Sequence, residues 1–235
     1  MNPQTPLVGA GNPLLDAYKP IAAELERATA LVQERICQVN PLFVDYLEYS
    51  FRLGGKRLRP ALTLLCAKAV GRVDERCFLV AAAMEMIHTG SLVHDDILDG
   101  AKFRRRLETV NAKWDSQRAV LIGDLLITRA FDLICECDDS FVFRAMARCC
   151  RATVEGELLQ TESIGDFDLT RDRYVEIVGG KTASLIECSA ELGAYLAGAR
   201  DEDVKTFARL GRSLGVAFQI VDDANLQYNF FFALI

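Results

Sequence analysis

Along most of this chain apolar residues recur three and four positions apart, with polar residues between them, a spacing that fits the 3.6-residue turn of an α-helix. No alternating strand pattern competes with it. The periodicity predicts helices over 13–37, 40–52, 58–70, 74–99, 114–136, 140–163, 171–178, 181–198 and 201–223. Gly71-Arg72, Asp138-Asp139 and Gly165-Asp166 mark breaks between them. Ala, Leu and Glu, all good helix formers, are abundant, and prolines are rare beyond residue 60. With no internal repeat and no low-complexity linker, a single all-α domain over 1–235 is the economical reading.

Composition narrows the classes. The 235 residues are 51% hydrophobic and 26% charged, enough for a substantial buried core. A net charge of −6, with basic residues in short clusters rather than a stripe, argues against nucleic acid as a partner and for local anion sites. The first residues are polar and Pro-rich, so no secretory signal is expected. No apolar stretch reaches the roughly 20 residues that span a bilayer, because Glu85 interrupts the run from Cys77 to Ile87. A soluble, cytoplasmic protein without a transmembrane segment is expected. The eight cysteines then read as reduced thiols, and neither Cys135/Cys137 nor Cys149/Cys150 has the spacing of a zinc pair.

Residues 88–105 carry the strongest chemical signal. On a helix Asp95 and Asp99 are i and i+4 and project from one face, while Asp96 sits about 100° round. Such crowded carboxylates call for a cation, and Mg²⁺ suits them, because it takes oxygen ligands from one or two carboxylates plus substrate phosphates. Arg104 and Arg105 offer the forked donors that a diphosphate needs. His88 lies on the same stripe through Ser91, and geometry favours it as a diphosphate hydrogen-bond donor over a buried structural histidine. His88 and His94 are six residues apart and point in different directions, so a shared zinc is not expected.

Three further segments bind anions or metals on the same reasoning. Gly54-Gly55-Lys56-Arg57-Leu58-Arg59-Pro60 lets backbone approach an anion while long cations reach it. It is not a phosphate loop of the Walker type, because Ser50 stands where the first glycine belongs and Arg57 follows the lysine. Gly179-Gly180-Lys181-Thr182 fails the same test at Val175, yet Lys181 and Thr182 at a helix start could hold diphosphate. Phe218-Gln219-Ile220-Val221-Asp222-Asp223 places two more carboxylates at the end of an apolar helix. Facing the first acidic segment across a cavity, it would complete a metal and diphosphate site.

Taken together these residues resemble the trans-prenyl diphosphate synthases, and most nearly their long-chain type. The matching segments are GGKRLRP (54–60), HTGSLVHDDILD with RR (88–105), TVN…VLIGDLL (109–126), EGELLQ (155–160), GGKTASL (179–185) and GVAFQIVDD (215–223), over roughly 15–223. The resemblance implies a helical bundle of the isoprenoid synthase type around a central cavity, and condensation of isopentenyl diphosphate with an allylic diphosphate. It implies that Asp95, Asp99 and Asp222 bind Mg²⁺, about two or three ions in all, with Asp96 and Asp223 as supporting acids and Asp223 counted in the metal set. Arg104, Lys181, Thr182 and Gln219 would hold the allylic diphosphate; Lys56, Arg59, His88 and Arg105 would hold isopentenyl diphosphate. Gly90 and Ser91, one turn before Asp95, leave an open route for a long product, with Ile87 or Met84 as a deeper floor. A homodimer or a heteromeric synthase is the implied assembly.

The chain departs from that family pattern in places. Leu226 stands where a third acid is usual, Arg106 and Glu108 replace a usual Gly and Pro, and 224–235 is an atypical ending that reads as a truncated C-terminal part. A non-catalytic subunit or inactive fragment is therefore the alternative to an active synthase. A terpene cyclase is more distant, because GGKRLRP suits a second diphosphate substrate.

Overall fold

The computed structural model describes residues 13–53 and 55–232, as backbone only at 13, 15 and 226–232. It is helical almost throughout: α1 (Pro13–Tyr18), α2 (Ala22–Cys37), α3 (Pro41–Arg52), α4 (Leu58–Val70), α5 (Glu75–Leu98), α6 (Val110–Lys113), α7 (Ser116–Glu136), α8 (Ser140–Glu162), α9 (Arg171–Val178), α10 (Ser184–Leu196) and α11 (Asp201–Phe232). Several of these start where a short polar side chain takes an otherwise unpaired amide. Asn40 accepts from Leu42, Asp74 from Arg76, Asp115 from Arg118, Asp139 from Phe141 and Val142, and Thr170 from Arg173.

α5 is the axis of the bundle. It packs along α7 and also against α2, α4 and α10. Val80, Ala81, Ala83, Met84 and Met86 are fully buried, and each large side chain there contributes about 1.5–3 kcal/mol. By length and composition Glu75–Leu98 could cross a membrane, with a mean hydropathy of 1.3 over its best window, although Glu85 had argued against any such span. In the fold 67% of that window is buried by the surrounding helices, as befits a core helix.

The structure corrects four local expectations. A 3₁₀ turn at Lys19–Ile21, carrying Pro20, breaks the first helix, because proline supplies no amide to the ladder. The helical pattern runs unbroken from α9 to α10 through a π turn at Gly179–Ala183, so Lys181 and Thr182 are not at a helix start. The cause is a close crossing with α8: a Cβ on Gly180 would lie 2.8 Å from the Ala152 carbonyl, and one on Gly156 would lie 2.2 Å from the Lys181 nitrogen. Third, α11 runs past 223 to Phe232, since neither Gly nor Pro follows Gly215.

The fourth is a two-stranded antiparallel hairpin, Phe103–Arg104 with Leu107–Glu108, in which Arg104 faces Leu107. Arg105 and Arg106 form its turn with φ of 50° and 68°. Both angles are left-handed, the pattern that favours Asn-Gly. Around it, Thr109 Oγ1 donates to the Ala101 carbonyl at 2.7 Å and the Tyr49 hydroxyl to the Glu108 carbonyl at 2.8 Å. Replacing Arg106 with glycine relieves the side-chain strain and is expected to stabilise the protein by about 0.5–1 kcal/mol. Thermal unfolding of Arg106→Gly checks this; a lowered midpoint contradicts it.

Candidate active site

A cavity of about 560 Å³ opens between α5, the loop entering α4, the hairpin turn, and the α9–α11 end of the bundle. Its α5 wall presents Glu85, His88, Ser91 and Asp95. Burial pushes the Asp95 carboxyl up to about 6; Lys181 and Arg104 pull it down, while Glu157 and Asp99 push it further up. Asp99, the residue closing α5, is exposed and lies outside the cavity lining.

Asp96 points elsewhere. Only 1% exposed, it accepts from Arg104 Nε and Nη2 on one oxygen, both at 2.9 Å, and its Oδ2 has no partner. The expected supporting acid is thus an anchor that fixes the Arg104 guanidinium at the cavity edge. Gly90 is also displaced from its expected place. It sits in the α5–α7 seam, where a Cβ would meet the Gly123 carbonyl at 2.9 Å, so of the residues expected to line a product route only Ser91 opens on the cavity. Ile87 and Met84 lie in the packed core.

The opposite wall is cationic. Lys56, Arg57, Arg59, Arg104 and Arg105 all line it. Arg57 enters α4 with φ of 51° and donates to Thr29 Oγ1 at 3.0 Å. Burial pushes the Arg59 guanidinium down to about 10, against the opposing pull of Glu85 and Cys149. The Arg105 guanidinium lies over Gly55: a Cβ there would sit 2.5 Å from Nη2, so a side chain at 55 would displace the guanidinium. Burial, reinforced by Arg59, Arg104 and Arg105, holds His88 well below the usual imidazole range. His88 is therefore a neutral ring with one N–H to donate.

The third wall comes from the π turn and α11. Lys181 pairs with Glu157 at 2.6 Å, and Thr182 donates to Gln219 at 2.8 Å. Asp222 is exposed and lines the cavity; Asp223 does not, and is bonded instead to Gln219 and Tyr174. Leu92, Leu185, Ile186, Leu214 and Phe218 give this region an apolar lining. At position 226 only the α11 backbone is described.

Sequence reasoning did not single out Glu157, Glu85, Arg57 or Tyr174. Glu157 had a signal, since it lies in EGELLQ; Glu85 had one too, as the lone acid in a buried apolar run. Tyr174 had none, because its contact depends on how α9 meets α11.

The donor set fits a divalent cation. Asp95 and Asp222 both line the cavity, and Mg²⁺ needs only one or two carboxylates beside water and phosphate. Asp95 is a half-buried carboxylate, and Lys181, the cation that acts on it most strongly, is already paired with Glu157. Metal ions at Asp95, Asp99 and Asp222, each completed by water and phosphate, would supply the missing positive charge.

Because the folded Asp95 carboxyl sits at about 6 rather than at the ordinary 3.8, ionising it costs the folded state. The cost is absent below about pH 4, grows from there to about pH 6, and is complete above. In metal-free buffer Asp95→Asn is therefore expected to match the parent near the acid limit and to melt higher at neutral pH. A difference between the two melting curves that does not change with pH contradicts this.

Residues 40–227 match the family model described as polyprenyl synthetase. The chain is 35% identical over 216 residues to the octaprenyl diphosphate synthase of Escherichia coli (strain K12), covering 87% of this chain and 67% of that protein. It is 37% identical over 209 residues to the geranyl-diphosphate-specific all-trans-nonaprenyl-diphosphate synthase of Rhodobacter capsulatus, covering 88% and 64%. Among solved structures it is similar to a decaprenyl diphosphate synthase from Rhodobacter capsulatus, with a TM-score of 0.86, 35% identity and 90% and 65% coverage. A polyprenyl synthase from Caulobacter crescentus CB15, complexed with calcium and isoprenyl diphosphate, also gives 0.86, at 34% identity and 92% and 66% coverage. The chain thus spans about two thirds of the length of these relatives. With the helical fold, the cation loop and the two acidic helices all in place, the chain belongs to the polyprenyl synthetase family.

Proposed function

We propose that this protein is a Mg²⁺-dependent prenyltransferase that condenses isopentenyl diphosphate with an allylic diphosphate to make a long polyprenyl diphosphate. One observation carries the reading: a single cavity is lined by the carboxylates Asp95 and Asp222, by the cations Lys56, Arg57, Arg59, Arg104, Arg105 and Lys181, and by apolar side chains. That is the complement of two diphosphates, one metal-bound and one not, with their hydrocarbon parts side by side. The octaprenyl, nonaprenyl and decaprenyl synthases to which the chain is similar, and small Ser91 on the α5 wall, support a long product.

In this reading Asp95, Asp99 and Asp222 hold Mg²⁺, which when bound neutralises charge on the departing diphosphate. Lys181, Thr182, Gln219 and Arg104 surround that leaving group. Asp96 acts through Arg104, engaging Nε and Nη2 so that the remaining amino group turns to phosphate. Lys56, Arg59, Arg105 and neutral His88 hold isopentenyl diphosphate, its alkene directed at the allylic carbon. Leu92, Leu185, Ile186 and Phe218 keep water from the allylic cation. The alkene attacks as the allylic C–O bond breaks, and the proton then lost passes to the released diphosphate. A dimer is the proposed assembly and the cytoplasm the proposed location; exposed Val120 and Leu121 on α7 offer apolar surface for such an assembly.

The purified chain, given Mg²⁺, farnesyl diphosphate and labelled isopentenyl diphosphate, is expected to release long products. Asp95→Ala should lower turnover at least about a hundredfold. A folded chain that makes no product, or one indifferent to Mg²⁺, contradicts the proposal.

A further inference from the structure

At the α11 end of the cavity four polar side chains form a ladder with a fixed direction. Thr182 Oγ1 donates to Gln219 Oε1 at 2.8 Å, which leaves Gln219 Nε2 to donate to Asp223 Oδ1, also at 2.8 Å. From the other side the Tyr174 hydroxyl donates to Asp223 Oδ2 at 2.6 Å. Each oxygen of Asp223 thus has a short bond of its own. The carboxylate lies against an adjoining cavity of about 230 Å³, beside Tyr174, Ile177 and Leu169, which shares Lys181, Thr182 and Gln219 as a common wall with the substrate cavity that Asp222 lines. One step along a helix turns a side chain by about 100°, so the two carboxylates serve different surroundings. Burial, and then the bond to Asp223, push the Tyr174 phenol up to about 12, so it remains a proton donor at any working pH.

We propose that Asp223 is a positioning residue and not a metal ligand: Tyr174 latches it, tying α9 to α11 so that Gln219 and Asp222 meet the cavity in a fixed orientation. α9 runs straight into the π turn that carries Lys181 and Thr182. The latch therefore joins the helix bearing the cationic and hydroxyl contacts to the helix bearing the second metal carboxylate. A phenol–carboxylate bond of this kind is charge-assisted and stronger than a neutral one. The assignment rests on the metal-dependent diphosphate site proposed above, and it removes one acid from the ligand set that the family resemblance implies.

The test counts ions rather than turnover. Mn²⁺ serves as a paramagnetic probe, titrated into the full chain with inorganic diphosphate and followed by electron paramagnetic resonance. Asp223→Asn can keep the ladder if the Gln219 amide turns over. Tyr174 then donates to the Asn oxygen, the Asn amide to Gln219 Oε1, and Gln219 Nε2 to Thr182 Oγ1. Asp223→Asn is expected to bind as many ions as the parent, with affinity reduced less than about threefold by the lost charge. Tyr174→Phe cannot rebuild the latch and is expected to weaken Mn²⁺ binding about tenfold. Combining the two should cost little more than Tyr174→Phe alone, because both act on one contact.

Loss of a bound ion in Asp223→Asn, or a larger drop there than in Tyr174→Phe, overturns the assignment and makes Asp223 a ligand. If Tyr174→Phe does not fold, the Asp223→Asn ion count decides the matter alone. A parent chain that binds no Mn²⁺ with diphosphate overturns the proposed function and this assignment with it, whereas loss of an ion in Asp223→Asn alone overturns the assignment and leaves the proposed function standing.

Discussion

Charge held in a closed cavity must be matched, because an ion removed from water without a partner costs the fold several kcal/mol. The cavity meets that constraint only in part. Arg104 is satisfied by Asp96 and Lys181 by Glu157. Asp95 is left with its carboxyl raised, and burial drives Arg59 downward while His88 is kept neutral. Asp95 thus lacks a cation of its own, while Arg57, Arg59 and Arg105 together outnumber Glu85, the acid they act on. A divalent cation at the first and a diphosphate at the second would each complete what the protein leaves open.

The scaffold holds these unmatched groups in place. α5 is buried along most of its length, so the face bearing His88 and Asp95 has little freedom to relax away from its neighbours. The hairpin puts Arg105 against the backbone of Gly55. The Gly156–Gly180 crossing lets the π turn bring Lys181 next to Glu157. Each arrangement spends local strain or close packing at the site, in keeping with left-handed arginines at 57, 105 and 106.

Much of this was legible in the sequence, because it depends on local rules. The apolar period and the breaks between segments placed α3, α4, α5, α8 and α9 within a residue of where they lie. The i, i+3, i+7 spacing of His88, Ser91 and Asp95 put them on one face, and all three line the cavity. Arg106 stood out as a departure from a usual glycine, and its φ of 68° is the reason a glycine would suit that position. What escaped the sequence depends on the partner helix. Asp95 and Asp96 are the same residue type one step apart, as are Asp222 and Asp223, and only packing decides which of each pair meets the cavity and which meets Arg104 or Tyr174. The same holds for Gly90, whose lack of a side chain serves the α7 crossing rather than a product route.

The central claim is that one cavity holds two diphosphates by different means, cations alone at one end and a metal ion at the other. Calorimetric titration of inorganic diphosphate into the full chain, with and without Mg²⁺, addresses it directly. The account predicts one binding event without metal, at the Lys56, Arg59 and Arg105 cluster, and a second that appears only when Mg²⁺ is added. A single event of the same strength in both conditions would contradict it.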